Sequence, residues 1–259
     1  MGSTFSGIST ALSSLIAQRT ALDVAGQNVA NANTAGYTRQ RADLGAVAGT
    51  QSASMFATNN GVGTGVQVTG ISRSADPFLD TKLRSQTSGA AALATLSSAY
   101  STLESRLGEP GASGLSAQLQ TFWNGWHDVS NAADTISARS VLLDDARQLT
   151  ETLHTQYQNI ATQWADTRTT TASLVTQTNT LATNVADLNK RILDITNNGG
   201  NANELSDQRD QALTQLAGLV GATVQTRQDG QVDVYVGGDA LVFGGSSHAL
   251  ALAGAQDFS

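Results

Sequence analysis

The side chains best suited to acid–base or metal chemistry are three histidines, His127, His154 and His248. Asp128 follows His127, but neighbouring residues on a helix point about 100° apart and cannot act as a dyad. His154 and His248 lack a His or carboxylate partner at metal-ligand spacing. No serine lies in the glycine frame of a nucleophile elbow. Glu204, Asp207 and Asp210 follow helical spacing, but helix carboxylates of this kind are usually solvated; Asp207, Arg209 and Asp210 could pair with charges on the long helix or on a neighbouring subunit, although a solvated charged face worth a few tenths of a kcal/mol per pair is the more common outcome. Gly61-Val62-Gly63-Thr64-Gly65 invites a phosphate-loop reading, but Val66 stands where the last glycine belongs. A strand pattern then follows where such a loop needs a helix, so a glycine turn is the better reading. Phe122, Trp123 and Trp126 could form a ligand platform, although such aromatics more often anchor a thin helical core. With no cysteine, disulfides and thiolate metal sites are excluded. The residues therefore predict no catalytic, cofactor-binding or metal site, and the chain is read as a non-enzyme.

The positioning elements are mostly helical. From Leu153 the apolar and small residues step by threes and fours through Tyr157, Ile160, Trp164, Thr167, Thr171, Leu174, Thr178, Leu181, Val185, Leu188 and Ile192 to Ile195. That spacing keeps one stripe of a helix facing a partner helix. No Gly or Pro lies between Val141 and Thr196. Asp134 or Ser137 is placed to cap the start, and Asn197-Asn198-Gly199-Gly200 to stop it. Such a helix is about 80 Å long, longer than the roughly 45–50 Å globule this chain length would form. A rod of paired helices is expected, with the Leu153–Ile195 seam held against helices over 79–107 and 203–220.

Around this rod, Phe5, Ile8, Leu12, Leu15, Leu22 and Val29 predict an amphipathic helix over about 4–29, with Arg19 and Gly26 interrupting its stripe. The run from Asn28 through Asn31, Asn33 and Gly36 to Tyr37 reads as a helix end followed by turns. Residues 42–76 read as an irregular, flexible joint with one or two short strands at Val62, Val66, Val68 and Ile71 and a turn at Asn59-Asn60-Gly61. Asp76-Pro77 opens a helix whose apolar face runs from Leu79 to Leu107. Asn203 is placed to cap a helix through Leu216. Strands at 222–227 and 231–236 flank Asp229-Gly230, and apolar runs follow at 240–243 and 248–252. Net charge is −7 without a Lys/Arg run, which argues against nucleic acid or an anionic membrane as partner. No secretory signal and no apolar run approaching a membrane span is present.

The string Ala32-Asn33-Thr34-Ala35-Gly36-Tyr37-Thr38-Arg39-Gln40, following an amphipathic helix, resembles the N-terminal motif of bacterial flagellar axial proteins, in the form of the FlgK-type hook-associated family. Similarity to that family continues over 61–84, through Val68-Thr69-Gly70-Ile71-Ser72-Arg73, over 119–133, and at Asn203–Leu216 with its Asp207-Gln208-Arg209-Asp210-Gln211. Ala35 departs from the proline or similar residue the family would place there.

The resemblance implies a mainly α fold: an elongated antiparallel long-helix bundle with minor β-hairpin elements. It implies four segments: an inner axial helix and turn (1–40), a Gly/Ser/Thr-rich linker (41–78), a long-helix bundle (79–221) and the start of a β-containing unit (222–259). The implied function is structural: a flagellar subunit at the hook–filament junction, exported without a cleaved signal. Its implied partners are other copies of itself, the hook protein and the second, filament-side hook-associated protein. Phe5, Ile8, Leu12, Leu15, Leu22 and Val29 would then pack in an inner helical layer, with Asn28, Asn31, Asn33, Gly36 and Tyr37 shaping the turn and subunit contacts. Family members are considerably longer, so a truncated chain is expected, without its export-chaperone site and with an N-terminal helix left mobile for want of a partner. A coiled-coil adhesin or sensor would share the helices but needs no Asn28–Gln40 turn. A hydrolase would need a pocket with a perturbed base.

Overall fold

The computed structural model describes residues 4–49, 63–109, 111 and 114–258. The expected Asn59-Asn60-Gly61 turn and Val62 lie outside them. The elements are α1 (Thr4–Ala30), β1 (Gln40–Val47), β2 (Gly65–Arg73), α2 (Pro77–Leu107), α3 (Leu115–Asn131), α4 (Ile136–Asn197), α5 (Asn203–Val220), β3 (Thr223–Thr226), β4 (Val232–Val236), β5 (Asp239–Phe243) and β6 (Ser246–Ser247). The fold is mainly α with two small antiparallel sheets, as the sequence predicts. Two compact units form, one from Met1–Thr87 with Leu181–His248, the other from Ser88–Thr180 with Ala249–Ser259. This grouping cuts across the four consecutive segments expected from the sequence.

In the first unit, the stretch read as an irregular joint is a paired ribbon. β1 runs antiparallel to β2 from Gln40↔Arg73 to Val47↔Gly65, with a bulge where Asp43 faces Gly70 and Leu44 faces Val68. Thr69 is the extra residue, and its hydroxyl donates to Asp43 O at 3.1 Å. A Cβ on Gly45 would stand 2.6 Å from the Thr69 methyl, so the bulge needs glycine there. The N-terminal helix α1 packs on this ribbon, with Ala17 and Val24 buried. Ser13 Oγ accepts the Val66 N–H at 3.3 Å and donates to Thr10 O at 2.8 Å.

The second sheet is a meander in the order β3-β4-β5-β6. Its hairpins turn at Asp229-Gly230, as expected, and at Gly237-Gly238, where both glycines have positive φ (63° and 99°). The last strand is Ser246–Ser247, not the apolar run 248–252. Leu213 and Leu216 of α5, Val185 of α4 and Val234 and Val242 of the sheet are the largest fully buried apolar side chains, and Leu188, Ile192 and Ala202 cluster with Ile195 and Leu205. The Asn189 side chain is fully buried with them. The Asn189 amide donates to Val232 O (2.8 Å) and Gly244 O (2.7 Å) and accepts from Val232 N–H (3.2 Å) and Arg209 Nη1 (3.0 Å). Every hydrogen-bonding position of that amide is used, which ties α4 to β4, to the turn after β5 and to α5.

The helix ends follow local chemistry. Asp76 Oδ1 accepts the N–H groups of Phe78 and Leu79 at the start of α2. At the end of α4, Gly199 (φ 74°) lets Gly200 N–H return to Ile195 O at 2.8 Å. Asn203 is not the expected cap: no side chain caps α5, and the Asn203 amide reaches Ile71 O at 2.8 Å instead.

In the second unit, Arg106 near the end of α2 donates to Asn159 O at 3.1 Å and pairs with Asp166 at 2.8 Å on α4. Phe122 contacts Trp123 and Trp126 at centroid distances of 6.1 and 6.3 Å, but both tryptophans are exposed, so the cluster does not anchor a core. The α4 seam is also used unevenly. Val185, Leu188 and Ile192 are buried, whereas Leu153, Tyr157 and Trp164 are exposed, and the described residues of α2 bury no side chain against the seam. The expectation of a seam sealed by the 79–107 helix is thus corrected: alternating three–four spacing marks a face fit for a helix, not one that a helix of the same chain must cover.

Asn189→Leu is expected to cost about 3 kcal/mol, because four hydrogen bonds go and buried carbonyls are stranded. A urea titration followed by far-UV circular dichroism should show the lower midpoint.

Candidate assembly interface

At about 100° per residue, α1 carries two opposed faces. Ser13, Ala17, Val24 and Asn28 align on the side that meets the ribbon. Phe5, Ile8, Leu12, Leu15, Leu22 and Val29 align on the opposite side and are 55–79 % exposed. The helix therefore docks by its small residues and leaves its larger apolar ones to solvent, where each forgoes about 1.5–3 kcal/mol of burial. A contiguous stripe of this kind marks an interaction surface.

The turn after α1 is built by Asn28. Its Nδ2 donates to Gln40 O (2.7 Å), while its Oδ1 accepts Gln40 N–H (2.8 Å) and the Tyr37 hydroxyl (2.9 Å). The start of β1 is thereby fixed to the last turns of the helix. Burial, then the carboxylates of Asp207 and Glu204, raise the Tyr37 pKa, which keeps its hydroxyl a donor. Asn31 holds the helix end by donating to Gln27 O (3.1 Å) and accepting from Thr34 Oγ1 (3.2 Å). Gly36 adopts φ 81°, where a side chain would be strained and would meet Gln211. Asn33 is exposed. Of the five turn residues, Asn28, Asn31, Gly36 and Tyr37 thus serve the turn itself.

Below the turn lies a largely buried ion cluster. Arg73 Nη2 at the end of β2 stands 2.8 Å from Asp207 Oδ1 and 2.5 Å from Asp210 Oδ2 on α5. The other Asp207 oxygen accepts Thr38 N–H at 3.0 Å. Asp207 and Arg209 are only 7 % and 8 % exposed, so the solvated charged face expected here is corrected: Asp207 joins α5 to the turn and the ribbon, whereas Arg209 donates to Asn189 Oδ1 on α4 and to Gly230 O in the β3–β4 turn. Arg73 Nε and Arg209 Nε are buried without a hydrogen-bond partner, and Asp207 Oδ1 meets Arg73 without hydrogen-bond geometry. Burial lowers the Arg209 pKa; Asp210 opposes that shift and Arg73 adds to it. Asp80 on α2 is raised, first by burial and then by Asp210, with Arg84 and Arg73 pulling the other way. Asn203, at the head of α5, also donates to Gln40 Oε1 at 3.2 Å.

Three stretches far apart in sequence, 28–40, 68–73 and 203–216, thus meet at one place. Asp207 and Asp210 are visible in the sequence as helical acids, but their partner Arg73 and the role of Asn189 are not. The only hint was that opposite charges occupy two of the recognisable motifs. Among the described residues no group of three or more His, Asp or Glu side chains could hold a metal ion. No described helix is long and apolar enough to cross a membrane.

Comparison with known proteins agrees with this grouping. A model of the flagellar hook-associated protein FlgK helical domain matches residues 100–259, and one of the flagella basal body rod protein matches residues 8–38. The chain is 36 % identical over 232 residues to flagellar hook-associated protein 1 of Bacillus subtilis (strain 168), covering 89 % of this chain and 46 % of that protein. To the protein of the same name from Salmonella typhimurium it is 32 % identical over 247 residues, covering 94 % and 44 %. The chain therefore spans about half the length of the curated relatives it matches. Its structure is similar to that of the flagellar hook junction protein FlgK from Burkholderia pseudomallei, with a TM-score of 0.55 at 26 % identity over 67 % of this chain and 30 % of that one.

Arg73→Met should cost about 3–5 kcal/mol by stranding a buried carboxylate, and adding Asp207→Asn should recover part of it in a double-mutant cycle. Asp80 carries the opposite sign. Its folded pKa lies above the unfolded value, so stability is greatest with the group protonated and falls as pH rises from the unfolded through the folded value. Asp80→Asn is therefore expected to raise Tm at neutral pH, with the gain vanishing below the ordinary carboxylate pKa in a pH series of thermal melts.

Proposed function

The chain belongs to the FlgK family of flagellar hook-associated proteins, and on that premise we propose that it is a structural subunit joining hook to filament in a bacterial flagellum. The observation that carries the reading is α1: a helix fixed to its own unit by one face, with the apolar stripe from Phe5 to Val29 turned outward. A stripe held in place by Asn28, the ribbon and the Arg73 cluster is presented at a fixed angle, which a part repeated around a tube requires. Residues 1–40 form the inner axial segment in this reading. Phe5, Ile8, Leu12, Leu15, Leu22 and Val29 make the inter-subunit contacts, and Asn28, Asn31, Asn33, Gly36 and Tyr37 set the angle of approach. Its partners are further copies of the chain, with the hook protein on one side and the second hook-associated protein on the other. Export proceeds without removal of a signal peptide. Each contact is modest and the joint gains strength by multiplicity.

Leu12→Asp, made in the chromosomal copy of the gene, should release filaments into the medium and abolish swimming. The purified variant should keep its far-UV circular dichroism and Tm, because Leu12 already faces solvent. Normal filament attachment in electron micrographs of that strain would remove the interface assignment.

A further inference from the structure

Two rows of polar side chains in the first unit face each other with nothing between them. On α4, Asn184, Asp187 and Arg191 fall within a sector of about 60°, and on α5 Gln208, Gln211 and Gln215 do the same. All six residues are exposed. The two helices run antiparallel: Ile195 and Leu205 pack on Leu188, Ile192 and Ala202, and Arg209 donates to Asn189. Arg191 therefore stands level with Gln208, Asp187 with Gln211 and Asn184 with Gln215. The rows are the walls of one furrow of about 420 Å³, floored by Leu181, Leu188 and Ala212. Asp187 meets Lys190 at 3.8 Å. The side chains of Asn184, Arg191, Gln208, Gln211 and Gln215 have no hydrogen-bond or ion-pair partner among the described residues. Asp207, Arg209 and Asp210 carry the internal polar contacts of this stretch, whereas Gln208 and Gln211 carry none.

Three amides elsewhere in the chain show what such a group does on a helix. Asn28 grips Gln40, Asn189 grips Val232 and Asn179 grips Leu250. Each accepts the N–H of that residue on Oδ1 (2.8, 3.2 and 2.8 Å) and donates from Nδ2 to its carbonyl (2.7, 2.8 and 3.0 Å). The side chain supplies the donor and acceptor that a neighbouring strand would otherwise supply.

A strand laid in the furrow turns its two edges toward the two walls and its side chains alternately to the floor and to solvent. The dimensions agree. From Gln208 to Gln215 the wall runs about 10.5 Å, the length of about three extended residues. A strand fills about 160 Å³ per residue, from its rise and its spacing to neighbouring strands and layers, so the furrow holds between two and three. The amides both give and accept, Arg191 gives and Asp187 accepts, so each wall offers both kinds of partner. A helix would bring no free backbone groups to these amides, because its own ladder uses them.

We propose that the furrow between α4 and α5 is a binding site for an extended peptide segment of another protein, gripped through its backbone by Asn184, Gln208 and Gln215. A small apolar side chain at every second position of that segment rests on Leu188 and Ala212. The site stands apart from the outward stripe of α1 and does not depend on where in a flagellum the chain works.

The test uses the whole chain labelled with nitrogen-15 and two probes, acetylated pentapeptide amides in which threonine alternates with alanine or with valine. At least one should shift the side-chain NH2 signals of Asn184, Gln208 and Gln215 saturably. Methylating the central backbone nitrogen of that peptide should weaken binding about tenfold by removing one gripped N–H. Gln208→Ala with Gln215→Ala should weaken it at least as much while leaving Tm unchanged, because both side chains face solvent. No saturable shift with either peptide would overturn the site. Equal binding of the methylated peptide would overturn the grip on the backbone. Shifts of the same signals by maltotriose and by neither peptide would also overturn it, by assigning the furrow to a glycan.

Discussion

The burial of Arg73 between Asp207 and Asp210 is the constraint on which the rest of the first unit depends. A guanidinium and a carboxylate taken out of water each cost several kcal/mol before any attraction is counted. They are tolerated here because their geometry is shared. Arg73 meets both carboxylates, and the second Asp207 oxygen takes the Thr38 N–H. Hydrophobic contact between the end of β2, the head of α5 and the turn would allow sliding. A charged fork with two carboxylates fixes one register. The ribbon cannot shift along α5 by a residue without stranding a charge.

Positions elsewhere follow from that fixed register. With β2 located, β1 is set by the ladder, and Gln40 at its head is where the Asn28 amide finds both a donor and an acceptor. Asn28 then orients the end of α1, and Ser13, Ala17 and Val24 seat the rest of the helix on the ribbon. The face turned outward is consequently decided by polar groups some distance from it. An apolar stripe does not choose to be exposed; it is exposed because the opposite face of the same helix is held more specifically.

The sequence announces elements better than their partners. Five helices and the meander hairpin are legible because each depends on local chemistry: the proline and capping aspartate at 76–77, the glycines at 199–200 and 221, and the Asp229-Gly230 turn. The β1–β2 pairing is not legible, because Gln40–Val47 is poor in β-branched residues and its partner begins only after a long intervening stretch. Asp207 and Arg209 look solvated for the same reason: helical periodicity locates them relative to one another and is silent about an arginine from a distant strand. The resemblance marks the three stretches that meet, but a motif names residues and not their contacts. Asn189 shows the limit most plainly, since a lone asparagine on a helix carries no sign that it will be wholly buried with every hydrogen bond filled.

Along α4, too, spacing misleads about coverage. A stripe repeating every three or four residues reports which side of a helix water should leave; it does not say what replaces the water. Between Val185 and Ile192 the replacement is a core. At Tyr157 and Trp164 it is the single ring of Phe258, carried by an irregular segment whose backbone is held by Asn179 and Arg168 beside the stripe. A globular protein would finish the job with another helix, because apolar surface left in water costs stability at roughly 25 cal/mol per Å². Under the proposed assembly, neighbouring subunits rather than another helix of the same chain would cover that surface, and the exposed faces would be the ones available to them.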